Sequence, residues 1–326
     1  MKAPVFVLGC QRSGTTLLYD MLLSSGGFAV YRAETRVFDL LAPLFGAFGN
    51  ARTKQELMEK WLQSRLFKRS GLHAETIRNK VLSECRNAGD FLRIVMESIA
   101  QTQNVDRWAE NTPGHLLYIP EIKKTIPDAL IIHIIRDGRD VALSLRELSW
   151  IRPFFWDKNQ VLQVAGLHWE WIVKKGREHG REMEADYTEV RFEELIERPR
   201  ETLARLGSFI GHDLDYARIQ QVGIGAVNTP NTSFVADSSE ATFNPVGRWK
   251  RKLSSEERVG FESLVGDFLR ELGYPLGTPA HELYHTFKVK RMKIQYQWSF
   301  SLRLWLAKKN SLHRFLVKTD LLDDKL

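Results

Sequence analysis

Residues 5–16 read VFVLGCQRSGTT and decide the fold, because they join a wholly apolar run to a glycine-bounded turn and a helical pattern. The run Val5–Leu8 has no polar residue, which is typical of a strand buried on both faces of a parallel sheet. The stretch Thr15–Leu23 that follows carries good helix formers at helical spacing. These residues predict a strand, a tight turn and a helix, the repeating unit of a parallel α/β fold.

The same alternation continues along the chain. Residues 129–135 form the strongest strand pattern, and residues 107–110 and 189–192 form shorter ones. Helical patterns occupy residues 54–103, 115–124, 140–148, 159–179, 201–210 and 254–272. We expect an α/β fold with a P-loop-like central parallel sheet flanked by helices, in one domain over residues 1–277. Residues 278–326 are expected to form a basic, amphipathic C-terminal helical tail.

Composition and charge divide the chain into a near-neutral body and a basic tail. The 326 residues are 43% apolar and 27% charged, as in a globular protein with a sizeable core. The net charge of +7 resides in residues 285–326, which hold ten Lys or Arg against three Asp. An anionic partner is therefore expected for the tail rather than for the body.

Cysteine content and hydropathy indicate a reducing compartment. The two cysteines give neither a disulfide framework nor the spacing of a zinc site. We expect no signal peptide, and no apolar stretch reaches the roughly 18 residues of a bilayer-spanning helix. A cytoplasmic location is predicted, with peripheral association of the tail with the inner face of a membrane as an open alternative.

The segment Gly9–Thr16 has the glycine spacing of a phosphate-binding loop, with Thr15 at the position of the usual lysine. Such glycines let successive backbone N–H groups converge on an anion, and the helix N-terminus adds a partial positive charge. Without the lysine that reaches the β- and γ-phosphates, a triphosphate is disfavoured. Arg12 is the cation inside the loop, and its planar guanidinium suits a tetrahedral anion. The loop therefore favours a nucleotide that ends in a sulfonate and needs no metal.

This loop resembles the 5′-phosphosulfate loop of the sulfotransferase superfamily that uses 3′-phosphoadenosine-5′-phosphosulfate (PAPS). The similarity is greatest to the tyrosylprotein and bacterial carbohydrate branches. The resemblance implies PAPS as the donor, 3′-phosphoadenosine-5′-phosphate (PAP) as the product, and no metal. It also implies cofactor contacts from Gln11, Arg12, Ser13, Gly14, Thr15 and Thr16.

A second segment, Ile131–Ser144, resembles the 3′-phosphate motif of the same family. Arg136 leaves the predicted sheet at its carboxyl end and Ser144 follows eight residues later on a helix. The resemblance implies that this guanidinium and this hydroxyl meet one phosphate. The alternative is that Arg136 forms an ion pair with an aspartate that caps the helix.

Two further segments resemble the family more loosely. Residues 190–195 match a strand-helix unit in which a tyrosine often stands where this chain has Phe192. Residues 247–250 match a late loop that closes over the cofactor. The resemblance implies that Arg248 and Lys250 contact phosphate and that Trp249 flanks the adenine.

The candidate acceptor site centres on Glu34, in the string Glu-Thr-Arg-Val that resembles the catalytic-glutamate stretch of tyrosylprotein sulfotransferases. The resemblance implies Glu34 as general base and Arg36 as a substrate-positioning residue. A second strand is expected just before this string. From the residues alone, a surface ion pair between Glu34 and its neighbouring arginines is the competing interpretation.

One departure from the family pattern concerns the turn before Pro113. Many members carry a lysine two residues before this proline, whereas this chain has Asn111, which supplies no charge. Arg12 would then carry more of the charge that builds on the leaving phosphate. His115 is a candidate catalytic helper, with a helix cap as the competing role.

The tail also supports two interpretations. Residues 287–318 interleave cations with aromatic residues, and one helical face would carry Trp298, Leu302, Trp305, Leu306 and Leu312. This pattern is typical of an interfacial helix on anionic lipid. It also fits a helix that packs on the domain and leaves its basic face in water.

We predict an enzyme that transfers a sulfuryl group from PAPS to a hydroxyl acceptor by in-line displacement, the acceptor being a carbohydrate, a lipid or a tyrosyl group. Nucleic acid is not expected as a partner of such an enzyme. A P-loop kinase of nucleosides or small metabolites is the alternative enzyme, and Thr15 opposes it. A non-catalytic scaffold on membrane or nucleic acid is the alternative without chemistry, and Asn111 keeps it open.

Overall fold

The computed structural model describes residues 1–46, 48, 50–183, 185–222, 244–279, 281, 283 and 287–308. Its centre is a parallel sheet of four strands in the order β2-β1-β3-β4. The strands are β1 (Val5–Gly9), β2 (Ala109–Glu110), β3 (Leu130–Ile135) and β4 (Tyr187–Arg191). The predicted α/β fold with a central parallel sheet is confirmed.

Helices cover both faces of this sheet. In chain order they are α1 (Thr15–Ser24), α2 (Ala42–Phe45), α3 (Ala51–Trp61), α4 (Arg65–Ser70), α5 (Ala74–Glu84), α6 (Ala88–Thr102), α7 (Ile119–Thr125), α8 (Gly138–Glu147), α9 (Val161–Gly180), α10 (Phe192–Glu197), α11 (Pro199–Ile210), α12 (Tyr216–Val222), α13 (Trp249–Lys252), α14 (Ser255–Glu271) and α15 (Phe287–Lys308). None of the helices among the described residues is long and apolar enough to span a lipid bilayer.

The apolar sequence of β1 follows from burial on both of its faces. Phe6 and Leu8 pack into the larger core, which α6, α9 and α14 help to form. Val5 and Val7 point the other way, into a smaller core with α1 and α11. Because successive side chains of a strand alternate between faces, a strand between two helical layers has no position for a polar residue.

The prediction of a strand just before Glu34 was wrong. Among the described residues, only an isolated bridge between Phe28 and Arg107 stands in its place. The chain from there to Arg36 is irregular and enters a π-helical turn over Val37–Leu41. The physical reason lies in Thr35, whose hydroxyl bonds to the carboxylate of Glu110 at 2.9 Å. Side-chain hydrogen bonds thus replace a strand ladder in holding this segment.

The C-terminal helix α15 packs on α9 and α14 through one face. Met292, Tyr296 and Phe300 are buried in this contact. The hydroxyl of Tyr296 donates to Asp157 Oδ2 at 3.1 Å and accepts from the backbone N–H of Phe154 at 3.0 Å. The described part of the tail is therefore anchored to the body.

The apolar face predicted for the tail points away from this contact. Trp298, Leu302 and Trp305 are 67%, 36% and 51% exposed. Leu306 is half-buried, and Leu312 lies outside the described residues.

Candidate active site

The phosphate-loop candidate lies where β1 ends, at the carboxyl edge of the sheet. A Cβ atom on Gly9 would stand 2.6 Å from the carbonyl oxygen of Ile134, so only glycine lets β3 approach this closely. Gly14 has φ of +96°, and a Cβ there would stand 2.3 Å from the ring of Phe192. Arg12 also has a positive φ, +72°. This curled backbone is the conformation in which amide groups converge on an anion.

Two buried polar atoms, one in the loop and one beside it, lack a hydrogen-bond partner in the part of the chain that the structure describes. Within the described residues, neither Ser13 Oγ nor Arg136 Nε has a hydrogen-bond partner. Arg136 adjoins the loop, since its Nη1 donates to the backbone carbonyl of Arg12 at 2.9 Å. An unpaired buried donor is costly and needs an explanation. A bound phosphate would accept from both groups, so these residues fit the cofactor that the resemblance implies.

Three guanidinium groups gather around this position. Burial lowers the pKa of Arg12 below its ordinary value, and repulsion by Arg136 and Arg248 lowers it further, with Glu147 opposing. Arg248 Nη2 donates to Glu147 Oε1 at 3.1 Å. An anion among these cations would relieve their mutual repulsion, which is how arginine clusters select phosphate and sulfonate groups.

The structure brings the two predicted phosphate motifs into one site. Arg12 Nε donates to Ser144 Oγ at 2.9 Å. Arg136 is fully buried, and its Nη2 donates to the carbonyl of Pro245 at 2.6 Å. The proposed ion pair of Arg136 with the helix cap is not formed, because the cap residue Asp137 pairs with Arg139 instead, at 2.7 Å.

The late loop before α13 is held by Asp140, which sequence reasoning missed. Its two carboxylate oxygens accept from the backbone N–H groups of Gly247 at 2.7 Å and Trp249 at 2.9 Å. The Trp249 ring is buried against the guanidinium of Arg139, 3.7 Å from the ring centroid. This placement directs the Trp249 side chain into the body, and its contact with adenine stays a prediction. Lys250 is exposed.

The remaining loop residues assigned to the cofactor differ in exposure. Thr15 is buried at the start of α1, while Thr16 is exposed and Gln11 is half-buried. Phe192, in the usual tyrosine position, packs beneath the loop with its ring 4.5 Å from the Arg136 guanidinium. Among the described residues, no group of three or more His, Cys, Asp and Glu side chains is arranged to hold a metal ion.

A buried polar cluster stands behind Glu34, at the carboxyl end of β2 beside the phosphate loop. Its centre is His115, whose Nδ1 lies 3.1 Å from Glu110 Oε2 and whose Nε2 lies 3.4 Å from Asp39 Oδ1. Burial alone would lower the pKa of His115, but these two carboxylates raise it to about 9. The backbone N–H of Phe38 lies 3.2 Å from the same Nε2 and would favour a neutral ring. The two carboxylates outweigh this contact and favour the protonated ring.

His115 has no exposed surface, which favours a role in holding its neighbours over the contact with substrate expected of a catalytic helper. The cluster connects the Glu34 segment to the turn before Pro113. The backbone N–H of Arg36 donates to Thr112 Oγ1 at 3.3 Å, and Arg36 Nε donates to Asp39 Oδ2 at 2.7 Å. No sequence motif pointed to Asp39. Neighbouring Asn111 is also buried.

Glu34 itself is exposed beside this cluster. Partial desolvation raises its pKa, Asp39 and Glu110 act in the same direction, and Arg36 opposes them. Among the described residues Glu34 forms no salt bridge, since Arg36 pairs with Asp39. A carboxylate with a raised pKa that is open to solvent can accept a proton from an approaching hydroxyl.

Comparison with known proteins identifies the family of the chain. Residues 4–216 match the profile of the sulfotransferase family, and the chain belongs to that family. It is therefore an enzyme of the transferase class that transfers sulfuryl groups. No curated protein matches the sequence significantly.

Two solved structures resemble the fold. The sulfotransferase domain from the curacin biosynthetic pathway is 15% identical with a TM-score of 0.53, over 85% of this chain and 99% of that one. The sulfotransferase domain of the Synechococcus PCC 7002 olefin synthase is 16% identical with a TM-score of 0.50, over 92% and 96%. At these identities the likeness concerns the fold.

Replacing Gly14 by Ala should destabilise the protein by about 3 kcal/mol or more, because the new methyl group strains a left-handed residue and strikes Phe192. Gly211→Ala is the matched control, since Gly211 has φ of +62° with nothing near its Cβ position. It should cost only the backbone strain, about 1–2 kcal/mol. Urea denaturation measures both, and equal costs would contradict the close packing of the loop on Phe192.

The His115 cluster should make stability depend on alkaline pH. A pKa raised to about 9 in the folded state stabilises the protein fully below the unfolded value near 6.5. This contribution, on the order of 3 kcal/mol, is lost as the pH rises through 9. We expect His115→Gln to flatten the dependence of the unfolding free energy between pH 6.5 and 9.5, while His73→Gln on the surface leaves it unchanged. A wild-type profile that is already flat would contradict the protonated ring.

Proposed function

We propose that this enzyme uses PAPS as its donor and that Glu34 is the general base for a hydroxyl acceptor. The observation that carries the donor assignment is the pair of unpartnered buried atoms, Ser13 Oγ and Arg136 Nε, among three guanidinium groups. The family implies the same donor. PAPS, when bound, supplies the sulfuryl group and a good leaving phosphate.

The loop residues bind the end of the donor that reacts. Backbone N–H groups of residues 11–16 and the start of α1 hold the 5′-phosphate. Arg12 lies beside it and stabilises the negative charge that builds on the leaving oxygen, the role for which many relatives would use a lysine at position 111. Because Asn111 is uncharged and buried, Arg12 carries this electrostatic load.

The second phosphate is assigned to the side of the loop formed by β3 and α8. Ser144 lies within hydrogen-bond reach of Arg12, and Arg136 and Arg248 contribute charge. Lys250 is exposed and would approach the same phosphate from the late loop. A site with charge for two separate phosphates suits PAPS better than ATP, whose phosphates form one chain.

Glu34 accepts the proton of the acceptor hydroxyl as the oxygen attacks sulfur. Its exposure gives the acceptor access, and its raised pKa improves it as a base. The Asp39–His115–Glu110 cluster holds the Glu34 segment against the sheet edge, and Arg36 orients the acceptor. The acceptor itself is a hydroxyl of a carbohydrate, a lipid or a tyrosyl group.

The donor assignment is tested by ligand-dependent stability. PAP at a hundredfold excess over its dissociation constant should stabilise the protein by about 2.7 kcal/mol, measured as a shift in thermal unfolding. AMP is the matched control, since it lacks only the 3′-phosphate, and it should bind at least tenfold more weakly. Equal stabilisation by AMP and PAP would argue against the second phosphate site. Stabilisation by ATP with magnesium alone would instead favour a kinase.

Glu34→Gln should lower the turnover number by about 10²–10⁴, the usual contribution of a general base, and leave PAP binding intact. The assay is PAP release from PAPS with a panel of carbohydrate, lipid and tyrosyl acceptors. Glu59→Gln, an exposed glutamate on α3, is the control and should keep full activity. In the wild type, the turnover number should fall as the pH drops through the raised pKa of Glu34. Full activity of Glu34→Gln would contradict the assignment.

A further inference from the structure

The outward face of α15 carries a row of exposed apolar side chains. We call Phe287, Ile294, Trp298 and Leu302 the outer stripe, because their spacing of seven or four residues places them on one side of the helix, where Arg291 also lies. Phe287, Ile294 and Trp298 are 81%, 68% and 67% exposed. Side chains of this size on one face of a helix indicate a surface that binds a partner.

The inner face explains why the outer stripe stays exposed. Tyr296 and Phe300 fix the helix on the body, and Trp171 Nε1 donates to Ser301 Oγ at 3.1 Å. The helix is therefore apolar on both sides, and its core contact uses one of them. Within the described residues, no element packs over Phe287, Ile294 or Trp298.

The charge of α15 indicates what kind of surface would bind the outer stripe. Residues 287–308 contain no Asp or Glu and six cations, namely Lys288, Lys290, Arg291, Lys293, Arg303 and Lys308. Lys293 pairs with Glu170 at 2.9 Å and Lys308 with Glu121 at 2.6 Å. No described salt bridge engages the other four cations. An apolar stripe flanked by uncompensated positive charge complements a surface that is apolar and anionic together.

We propose that the outer stripe docks this protein on an anionic lipid membrane. Apolar side chains of such a helix enter the membrane–water interface, and tryptophan prefers the level of the headgroups there. Lys and Arg side chains remain among the anionic headgroups. The stripe from Phe287 to Leu302 runs for about 22 Å at 1.5 Å per residue. Because the opposite face is held on α9, the helix would lie parallel to the membrane with the body above it.

Two other partners fit these observations less well. A second copy of the chain would bring two wholly basic helices together without an acidic side chain to pair with either. Nucleic acid is bound through its phosphates and through bases that stack on aromatic rings, so Ile294, in the apolar crest formed by Phe287, Ile294 and Trp298, would stay without a contact. A membrane interface accommodates the apolar crest and the flanking cations at once.

The test is sedimentation of the full chain with vesicles of phosphatidylcholine alone or with 30% phosphatidylglycerol. We expect binding to the anionic vesicles only. Lys290→Glu/Arg291→Glu should weaken this binding by at least about 25-fold, since each cation near an anionic surface contributes about fivefold. Lys60→Glu/Lys124→Glu, which changes two exposed cations elsewhere on the body, is the matched control and should bind within about threefold of the wild type.

A second variant tests the apolar contribution. Ile294→Ser/Trp298→Ser should weaken vesicle binding at least about tenfold, because both side chains leave water in the bound state. Since these side chains are exposed, thermal unfolding and the shift caused by PAP should match those of the wild type. These readouts separate docking from the proposed sulfotransfer function.

Several outcomes would overturn the proposal. One is equal sedimentation of the wild type with both kinds of vesicle. Another is vesicle binding that neither the charge-reversal variant nor Ile294→Ser/Trp298→Ser weakens. A wild-type dimer in light scattering that Ile294→Ser/Trp298→Ser converts to a monomer would assign the stripe to self-association. The outer stripe would be assigned to nucleic acid if the wild type is retained on a polyanion such as RNA and if both variants lose this retention but still bind vesicles.

Discussion

The buried guanidinium of Arg136 holds the carboxyl edge of the sheet together. It donates to the carbonyl of Arg12 in the phosphate loop and to that of Pro245 in the late loop, and it lies over the ring of Phe192. One side chain thus joins segments that are more than 100 residues apart in sequence. A fully buried cation is costly unless its donors are satisfied. Two carbonyls satisfy part of this requirement, and among the described residues Nε is left without a hydrogen-bond partner.

Much of the fold could be predicted because its signals are local. The strand at Val5–Gly9, the glycine turn and the strand at Leu130–Ile135 follow from apolar runs and from residues that favour turns. The Glu34 segment gave no such signal. Thr35 and Arg36 are held by side chains about 75 residues away, so local patterning suggested a strand where an irregular segment stands.

Within the site, the sequence indicated which residues cluster but not what each one contacts. Arg12, Arg136 and Ser144 do come together, and Arg12 is the link, since its Nε donates to Ser144 and its carbonyl accepts from Arg136. Trp249 turns inward because Arg139 provides a cation for its ring face and Asp140 fixes its backbone. His115 is enclosed by Glu110 and Asp39, a constellation that spans three segments of the chain. Such contacts depend on tertiary packing, which residue spacing does not encode.

Arg12 has a left-handed backbone conformation at the centre of the phosphate loop. A non-glycine residue there costs on the order of 1–2 kcal/mol, and a glycine would remove that cost while keeping the turn. The loop thus has its only internal cation at a position where the backbone alone favours glycine. Fold stability and site charge compete for this one residue. A glycine at position 12 would relieve the backbone strain, and it would also remove the one cation inside the loop and its hydrogen bond to Ser144.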